Sequence, residues 1–372
     1  MPVYTRSAQL AFDTLNGKKT DGIPTGLIHI MEHSIIERLA CAETGDYKKD
    51  PYGVYFRMLK NIGVNMVDQM LADNPLSMGN KGFEGGAECN PLTVDGVTID
   101  SPEDCAGHIE SVDLPALERK IKNFDEEQVI RDVILSESSA QKILGSNILK
   151  TGYGHLIFPT LEYGRYGYEN FFMAYALYPE IIDRLFTLQA DYAVLKNSAV
   201  VKAFQFADLP LYHRLDHDMA DSRGLLTGIK TLERCWIEQF ARSIKPAVDA
   251  GFTLLWHCDG NLMTLIPYLL EAGINGFQGF QYESGMDYIE ICKLKDKLGK
   301  DLVIQAGVSV TRDLPFGKPD DIARQLRFLV EYGPETGLFL SFSSSCVPGT
   351  PWKNIIAAVD GFKYYQTHGR RQ

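Results

Sequence analysis

The chain has 372 residues, of which 45% are hydrophobic and 23% charged, as in a globular protein with an extensive core. Its formal net charge of −11 argues against a nucleic-acid partner, because binding to phosphate backbones calls for a basic face. No apolar run approaches the roughly 18 residues that a membrane-spanning helix requires, and the first residues lack the apolar core of a signal peptide. Seven cysteines, an odd number spread along the chain, indicate reduced thiols and a cytoplasmic location.

Short β-type runs alternate with amphipathic helical stretches along the sequence. The runs lie at residues 23–30, 64–70, 155–160, 210–216, 253–257, 276–280, 302–307 and 338–343. The clearest helical stretches are residues 179–201, 231–250, 263–272 and 320–331. Strands that alternate with helices indicate parallel pairing through βαβ units. Eight such units predict an α/β fold in which one domain, residues 1–372, closes into a (β/α)8 TIM barrel, with an open doubly wound sheet as the alternative.

Two segments interrupt this alternation after the second predicted strand. Residues 80–100 have the pattern of a small β excursion, in which residues 94–99 turn at Asp95-Gly96. Residues 101–150 are predicted to be helical decoration. Neither segment has the character of a separate domain.

Polar and titratable residues follow most of the predicted strands, at the positions where a barrel carries its catalytic groups. They are His29, Glu32 and His33 after the first strand, Glu162 to Arg165 after the third, Asp216 to Asp218 after the fourth, His257 to Asn261 after the fifth, Gln281 to Glu283 after the sixth and Ser343 to Cys346 after the eighth. This concentration favours an enzyme over a non-catalytic barrel and predicts an active site at that end.

His257 and Cys346 form the most specific pair among these residues, because each closes a buried apolar strand. An imidazole and a thiolate that converge at one rim are ligands that zinc prefers. Asp259 or Glu283 could supply a third ligand. The alternative is a buried free thiol and a hydrogen-bonded histidine without metal. Cys258 adjoins His257, so its side chain points the other way on a strand and is predicted to lie in the core.

Five further residues are candidates for proton transfer or substrate binding. Asp218 and His217 could act as general acid or base, although Asp218 could equally cap the following helix. Glu162, Tyr166 and Gln281 are candidate substrate contacts, with a role as loop polar groups as the alternative. Glycine-rich nucleotide motifs are absent from the sequence, which argues against a nucleotide cofactor.

Several segments at these strand ends resemble the uroporphyrinogen decarboxylase superfamily, which includes corrinoid-dependent methyltransferases. They are RSAQLAFDTLNGKKTDGIPTGL, NPLTVDGVTIDSPEDC, EYGRYGYENFFMAYALYPEII, HDMADSRGLLTG, HCDGNLMTLIPYLLEAGINGF and SCVPGTPWKNIIAAVDG. The resemblance extends over nearly the whole chain and implies a TIM barrel. It is more specific for the superfamily than for a substrate.

Two departures from the superfamily pattern bear on activity. The decarboxylases carry an arginine-bearing RQAGRY-type segment near the first strand, whereas GLIHIMEHSIIERLA here holds only Arg38. An octacarboxylate needs several cationic partners, so uroporphyrinogen is a poor substrate for this chain. The methyltransferase branch uses His-x-Cys plus a distant Cys to bind zinc. This chain keeps His257 and Cys346 but has Asp259 in the second position.

The resemblance therefore implies a zinc-dependent methyltransferase that moves a methyl group between a small methoxy or methylated substrate and a corrinoid, as in O-demethylation. Zinc would act as a Lewis acid, and Asp218 or Glu283 would protonate the leaving oxygen. The corrinoid would be carried by a partner protein, because the sequence lacks an Asp-x-His-x-x-Gly cobalamin motif. The alternative is a metal-free decarboxylase of a carboxylic acid or porphyrinogen, with Asp218 or His217 managing protons. A homodimer is compatible with the sequence.

Overall fold

The structure, a computed structural model, describes residues 4–26, 28–72 and 92–370. Its strands are β1 (Met66–Val67), β2 (Leu92–Val94), β3 (Val97–Ile99), β4 (Leu149–Lys150), β5 (Gly152–Tyr153), β6 (Tyr212–Asp216), β7 (Ala220–Asp221), β8 (Gly224–Leu225), β9 (Thr253–His257), β10 (Gly276–Gln278), β11 (Val303–Val308) and β12 (Leu338–Phe342).

Helices connect these strands and cover the sheet. They are α1 (Arg6–Leu15), α2 (His33–Leu39), α3 (Asp46–Lys49), α4 (Pro51–Ile62), α5 (Pro102–His108), α6 (Leu114–Lys122), α7 (Glu126–Leu144), α8 (Tyr163–Tyr166), α9 (Tyr168–Leu177), α10 (Pro179–Phe206), α11 (Ile229–Cys235), α12 (Ile237–Asp249), α13 (Ile266–Ala272), α14 (Tyr288–Lys293), α15 (Asp313–Phe316), α16 (Pro319–Tyr332) and α17 (Trp352–His368). A π-helical turn, Ile109–Asp113, joins α5 to α6. Among the described residues, no helix combines the length and the apolarity that crossing a bilayer demands.

Six parallel strands form the central sheet, in the order β12-β11-β10-β9-β6-β5. A second parallel pair, β1 and β4, adjoins it in sequence, because only Thr151 separates β4 from β5. The molecule is therefore an α/β protein with parallel strands, as the alternating pattern predicted.

Backbone hydrogen bonds continue the sheet beyond its outer strands. Gly26 N donates to Leu340 O at 2.9 Å, and Leu340 N donates to Pro24 O at 2.9 Å. On the other side of the same segment, Asn65 N donates to Thr25 O at 2.9 Å, and Leu149 N donates to Asn65 O at 2.8 Å. Residues 24–26 thus bridge β12 to the segment that leads into β1.

The predicted strands agree with the structure except for the first three, which lie in the amino-terminal half of the chain. Residues 155–160, predicted as the third strand, form a loop, and the pairing strands are β4 and β5 instead. The first predicted strand, residues 23–30, makes only isolated bridges at Thr25 and Ile30, and the second shortens to β1. The predicted strands at 210–216, 253–257, 276–280, 302–307 and 338–343 are confirmed, with ends that shift by up to two residues.

β4 and β5, which pair in place of the predicted third strand, contain residues that a hydrophobicity pattern does not assign to a strand. Lys150 is buried because its ammonium donates to both carboxylate oxygens of Glu137 on α7, at 2.8 and 3.0 Å. Gly152 is required by close packing, since a Cβ there would lie 2.9 Å from the carbonyl oxygen of Tyr212. Neither residue type is typical of a strand, although both are satisfied in this one.

The predicted excursion and helical decoration are present where the structure describes them. β2 and β3 form an antiparallel hairpin whose turn residues, Asp95 and Gly96, have φ of 51° and 82°. Positive φ at both positions is the requirement of a type I′ turn. Residues 80–91 of the predicted excursion lie outside the described residues. Helices α5 to α7 account for most of residues 101–150, which end in β4.

Two hydrophobic clusters lie on opposite faces of the strands. The larger one packs the outer face against the helices. The smaller one gathers one residue from each of six strands, together with α1; its members are Ala8, Ala11, Leu15, Met66, Leu149, Tyr212, Leu255, Val303 and Phe339. Alternation along a strand explains the division, because neighbouring side chains point to opposite faces.

Candidate metal centre

β6 and β9 place four titratable side chains beside one another at their carboxyl ends. The two strands are parallel neighbours, and Asp216 pairs in register with His257. Asp218 and Asp259 each follow two residues later. The ligand atoms of Asp218, His257 and Asp259 all lie within 4.8 Å of one another. These three residues are called the metal group below.

Backbone and hydroxyl donors hold the metal group together. The amide of Asp259 donates to Asp218 Oδ1 at 2.7 Å, and Ser344 Oγ donates to Asp259 Oδ2 at 3.5 Å. The His257 ring rests against Gly279, where a Cβ would lie 2.5 Å from Nδ1, so only glycine leaves room for it. His257 Nδ1 and Asp259 Oδ1 are buried and have no hydrogen-bond partner among the described residues. A buried polar atom without a partner is costly, and a cation bound at such an atom would satisfy it.

Burial and crowded charge also favour a cation at this point. Burial raises the pKa of Asp259, His257 opposes that effect, and the nearby Asp218 and Asp216 carboxylates raise the pKa further. A divalent cation removes this repulsion, since it is the largest local charge in a site that binds it. One imidazole and two carboxylates are ligands that zinc accepts. The residues present therefore fit a metal ion.

Cys346, the other predicted ligand, lies outside the metal group. Its amide donates to His29 O at 2.9 Å, and its side chain is fully buried. Burial raises the pKa of its thiol to about 11, a shift that a hydrogen bond with Thr350 reduces only in part. Cys346 is not among the residues of the metal group, whose third member is Asp218. Glu283, the alternative third ligand, is exposed and accepts from Ser309 Oγ at 3.2 Å.

His217 is already engaged within the protein. Its Nε2 accepts a hydrogen bond from Leu161 N at 2.9 Å, and burial lowers its pKa to about 4. Its ring stacks on Tyr163 with the centroids 5.8 Å apart. Tyr163 in turn donates its hydroxyl to Asp218 O at 2.6 Å. A neutral histidine in these contacts positions the loop beside the metal group.

The three predicted substrate contacts also have partners inside the protein. Glu162 Oε1 accepts from Thr160 and Gln189, at 2.9 and 2.7 Å. Tyr166 is fully buried, and its hydroxyl contacts Asp113 and His108, at 2.6 and 2.8 Å; the structure offers no surface of this residue to a substrate. Gln281 Oε1 accepts the amide of Gly260 at 2.9 Å and so fixes the loop after β9.

A buried cation that the sequence reasoning missed lies on the same face of the strands. Arg214 Nε donates to Asp68 at 2.5 Å, and its Nη1 donates to Asp216 at 3.0 Å. Its guanidinium lies 4.5 Å from the centre of the Tyr153 ring. The signal was the alternation in YHRLD, which puts Arg214 on the same face as Asp216.

His29 completes this polar interior near the metal group. Its Nδ1 lies 2.7 Å from Ser345 Oγ, one residue after the serine that contacts Asp259. Burial, with the charge of Arg214, lowers its pKa to about 4. Its Nε2, like one oxygen each of Asp68 and Gln305, is buried without a hydrogen-bond partner in the part of the chain that the structure describes. The interior therefore offers several unused polar atoms.

No protein-family model and no curated protein sequence matches the chain. A methyltransferase from Methanosarcina mazei shares its fold, with a TM-score of 0.59 and 13% sequence identity over 98% of this chain and 99% of that one. A sugar phosphate isomerase/epimerase from Parabacteroides distasonis aligns over 95% of this chain and 99% of its own, with 9% identity and a TM-score of 0.40.

A B12-independent methionine synthase from Shewanella sp. W3-18-1 aligns over 47% of this chain and 52% of its own length, with 12% identity and a TM-score of 0.32. The scores of the isomerase/epimerase and of this synthase are too low to carry an argument. The likeness to the Methanosarcina protein shows a common fold over essentially the full length of both chains.

Proposed function

We propose that the chain is a zinc-dependent methyltransferase that exchanges a methyl group between a small methoxy or methylated substrate and a corrinoid on a separate protein. The metal group carries this proposal, because three ligand atoms converge within 4.8 Å and two buried atoms there lack partners. The superfamily resemblance of the sequence supports it. The fold shared with the Methanosarcina methyltransferase is consistent with it.

The proposed zinc ligands are His257, Asp259 and Asp218. Three protein ligands leave a fourth position for a substrate atom, which distinguishes a catalytic zinc site from a structural one. Zinc bound there would supply Lewis acidity toward the oxygen or other heteroatom that bears the methyl group. Cys346 is the alternative third ligand. Asp218 is favoured, because its carboxylate belongs to the metal group and the thiol of Cys346 does not.

Neighbouring residues position these ligands. The contacts of the three predicted proton donors also narrow the choice among them. Ser344 and the Asp259 amide orient the two carboxylates. Of the three predicted proton donors, Asp218 alone belongs to the metal group; His217 already accepts a backbone hydrogen bond. Asp218 Oδ2 is therefore assigned to the metal, with protonation of the leaving heteroatom as its alternative use, and exposed Glu283 stays outside the group.

We further propose that the parallel strands close into the eight-stranded TIM barrel. Support comes from the hydrogen bonds of residues 24–26, which reach β12 on one side and Asn65 on the other. The smaller hydrophobic cluster described above, called the inner cluster from here on, also supports closure. It gathers side chains from β1, β4, β6, β9, β11 and β12 around α1. A cluster of side chains contributed by many strands is expected of a barrel interior, which side chains fill.

The methyl acceptor in this proposal is reduced cobalt of a corrinoid that a partner protein brings to the carboxyl end of the strands. We also propose a cytoplasmic location, which the free cysteines among the described residues support. A metal-free decarboxylase is the weaker alternative, because the buried cation that could hold a carboxylate is already paired. Arg214 contacts both Asp68 and Asp216, so the local charge is net negative.

Metal analysis of the purified protein tests the ligand assignment. We expect about one zinc per chain in the wild type, and a loss of at least about tenfold in affinity for His257→Ala and for Asp259→Asn, since each removes a ligand. Asp221→Asn is the matched control, because Asp221 pairs with Arg223 outside the group. Asp218→Asn should lose zinc, whereas Cys346→Ser should keep it.

Methyl transfer is measured in the same preparations by the absorbance change of a reduced corrinoid protein. Zinc binding that survives His257→Ala would contradict the ligand set. Demethylation that proceeds equally well without corrinoid would contradict the reaction.

A further inference from the structure

A cavity of about 350 Å³ opens beside Asp216, next to the metal group. Leu117 of α6, Tyr192 of α10 and the loop residues Leu156, Ile157 and Phe158 supply its apolar walls. Because Asp216 pairs in register with His257, the cavity lies one strand spacing from a proposed zinc ligand. It is thus placed to hold the body of a molecule whose reacting end faces the metal group.

Two polar residues of the cavity wall are satisfied by neighbours. Thr160 donates its hydroxyl to Glu162 at 2.9 Å, and its amide donates to Gln189 Oε1 at 3.2 Å. Gln189 Nε2 donates to Glu162 Oε1 at 2.7 Å. These bonds leave Thr160 and Gln189 little capacity to bind a ligand. The wall that the two residues form therefore offers a ligand fewer free polar atoms than its residue types suggest.

Asp216 is the charged group of the cavity, and one of its oxygens remains available. Tyr153 and Arg214 both donate to Oδ2, at 3.1 and 3.0 Å. Oδ1 accepts no hydrogen bond from the part of the chain that the structure describes. Arg214 pairs with both Asp216 and Asp68, so these three groups together carry one net negative charge.

We propose that this cavity binds a small, planar, uncharged substrate whose hydroxyl group donates to Asp216 Oδ1, with methoxyphenols as the class. This inference rests on the proposed function for the identity of the methyl-bearing group. The volume lies at the small end of ligand pockets and suits a molecule of about ten non-hydrogen atoms. Apolar walls favour an aromatic ring, and the free carboxylate oxygen selects a single donor.

The negative corner gives the cavity a charge preference. A carboxylate in place of the hydroxyl would meet Asp216 without a free cationic side chain, because Arg214 is already shared by two carboxylates. Like charges at close range in a partly buried site are strongly unfavourable. The site therefore discriminates methoxyphenols from methoxybenzoates.

Isothermal titration calorimetry with 2-methoxyphenol and 2-methoxybenzoate tests this site. We expect the wild type to bind the phenol at least tenfold more tightly than the benzoate, and Asp216→Asn to narrow that ratio to less than threefold. Leu117→Gln should weaken phenol binding about tenfold, since it puts an amide into the apolar wall. Leu135→Gln, the same change at a residue of α7 that is 68% exposed, is the matched control and should bind as the wild type does.

Equal affinity for the two compounds, undisturbed binding by Leu117→Gln, or no binding heat at millimolar phenol overturns the inference. The His257→Ala protein separates it from the proposed function. Phenol binding that persists in that variant, together with absent methyl transfer by the wild type, supports the cavity and overturns the proposed reaction.

Discussion

His213 shows how a single buried side chain makes the stability of this protein depend on pH. The residue is fully buried, and its Nε2 accepts hydrogen bonds from the amides of His155 and Leu156, both at 3.2 Å. Burial lowers its pKa well below the ordinary value, and the charges of His155 and Lys150 lower it further. The folded protein therefore keeps this imidazole neutral at pH values where the unfolded chain protonates it.

We expect the free energy of unfolding to fall as the pH drops below about 6.5, the ordinary pKa of histidine. Below that pH the unfolded state binds more protons, which gives a slope of about 1.4 kcal/mol per pH unit for each such group. His213→Gln, which keeps an acceptor, should make the slope shallower by about one proton. Urea denaturation between pH 7 and 5 measures it, with exposed His368→Gln as the control. An unchanged slope in His213→Gln would contradict the assignment.

The sequence identified part of the metal group at the residue scale. The spacing of two between His257 and Asp259 predicted a shared face at the end of a strand, and the structure brings the two together. Asp218 was assigned to proton transfer rather than to this group, because adjacency of β6 and β9 is not visible in one sequence. Cys346 fits the residue pattern of a ligand, but its contact with Thr350 depends on the turn that follows β12.

Helix α1 is the element whose packing most directly tests the inner cluster. Ala8 and Ala11 are fully buried against side chains from six strands, where the small residues let the helix approach closely. Interiors at crystal-like density have little room for added volume.

Ala11→Leu should therefore lower the free energy of unfolding by about 1–3 kcal/mol, because three added carbons overpack this layer. Arg6→Leu introduces the same side chain at an exposed position of α1 and should change stability by less than about 0.5 kcal/mol. Chemical denaturation of both variants measures the difference. Equal stability of the two would mean that α1 does not pack tightly into the inner cluster.

Strands with continuous apolar residues were predictable at the element scale, and the others were not. β9 and β12 consist mainly of large apolar residues and were located within one or two positions. β4 and β5 hold Lys150 and Gly152, which are acceptable only because Glu137 pairs with the lysine and Tyr212 packs against the glycine. Those partners are distant in sequence, so hydrophobicity pointed instead to the apolar loop at residues 155–160.

Whether the strands close into a barrel, as proposed, is a question that concerns the whole molecule. An open sheet leaves the backbone groups of its edge strands exposed, whereas a barrel has no edge. The amides of Gly26, Leu340, Asn65 and Leu149 each donate to a backbone carbonyl across the two ends of the central sheet. The alternation of strands and helices predicted parallel pairing, and the count of eight units favoured a closed barrel over an open sheet.

Native-state hydrogen exchange distinguishes the two arrangements. In a closed barrel the amides of Gly26, Asn65 and Leu149 should exchange within about tenfold of those in central β11, because all would open only with the barrel. In an open sheet Gly26 and Asn65 would lie at an edge, and their amides would exchange through local fraying of that edge. Exchange of Gly26 and Asn65 that is orders of magnitude faster than that of β11 would rule out closure.

The side chain at position 259 affects which chemistry the proposed metal centre can perform. The amide of Asp259 donates to Asp218 Oδ1, its carboxylate accepts from Ser344, and the residue lies two positions after the end of β9. If Asp259 binds the metal as proposed, a thiolate at that position would replace a hard oxygen ligand by a soft sulfur ligand. The affinity of the centre for different metals, and the electron density delivered to its substrate, can therefore diverge between related proteins through a single side chain.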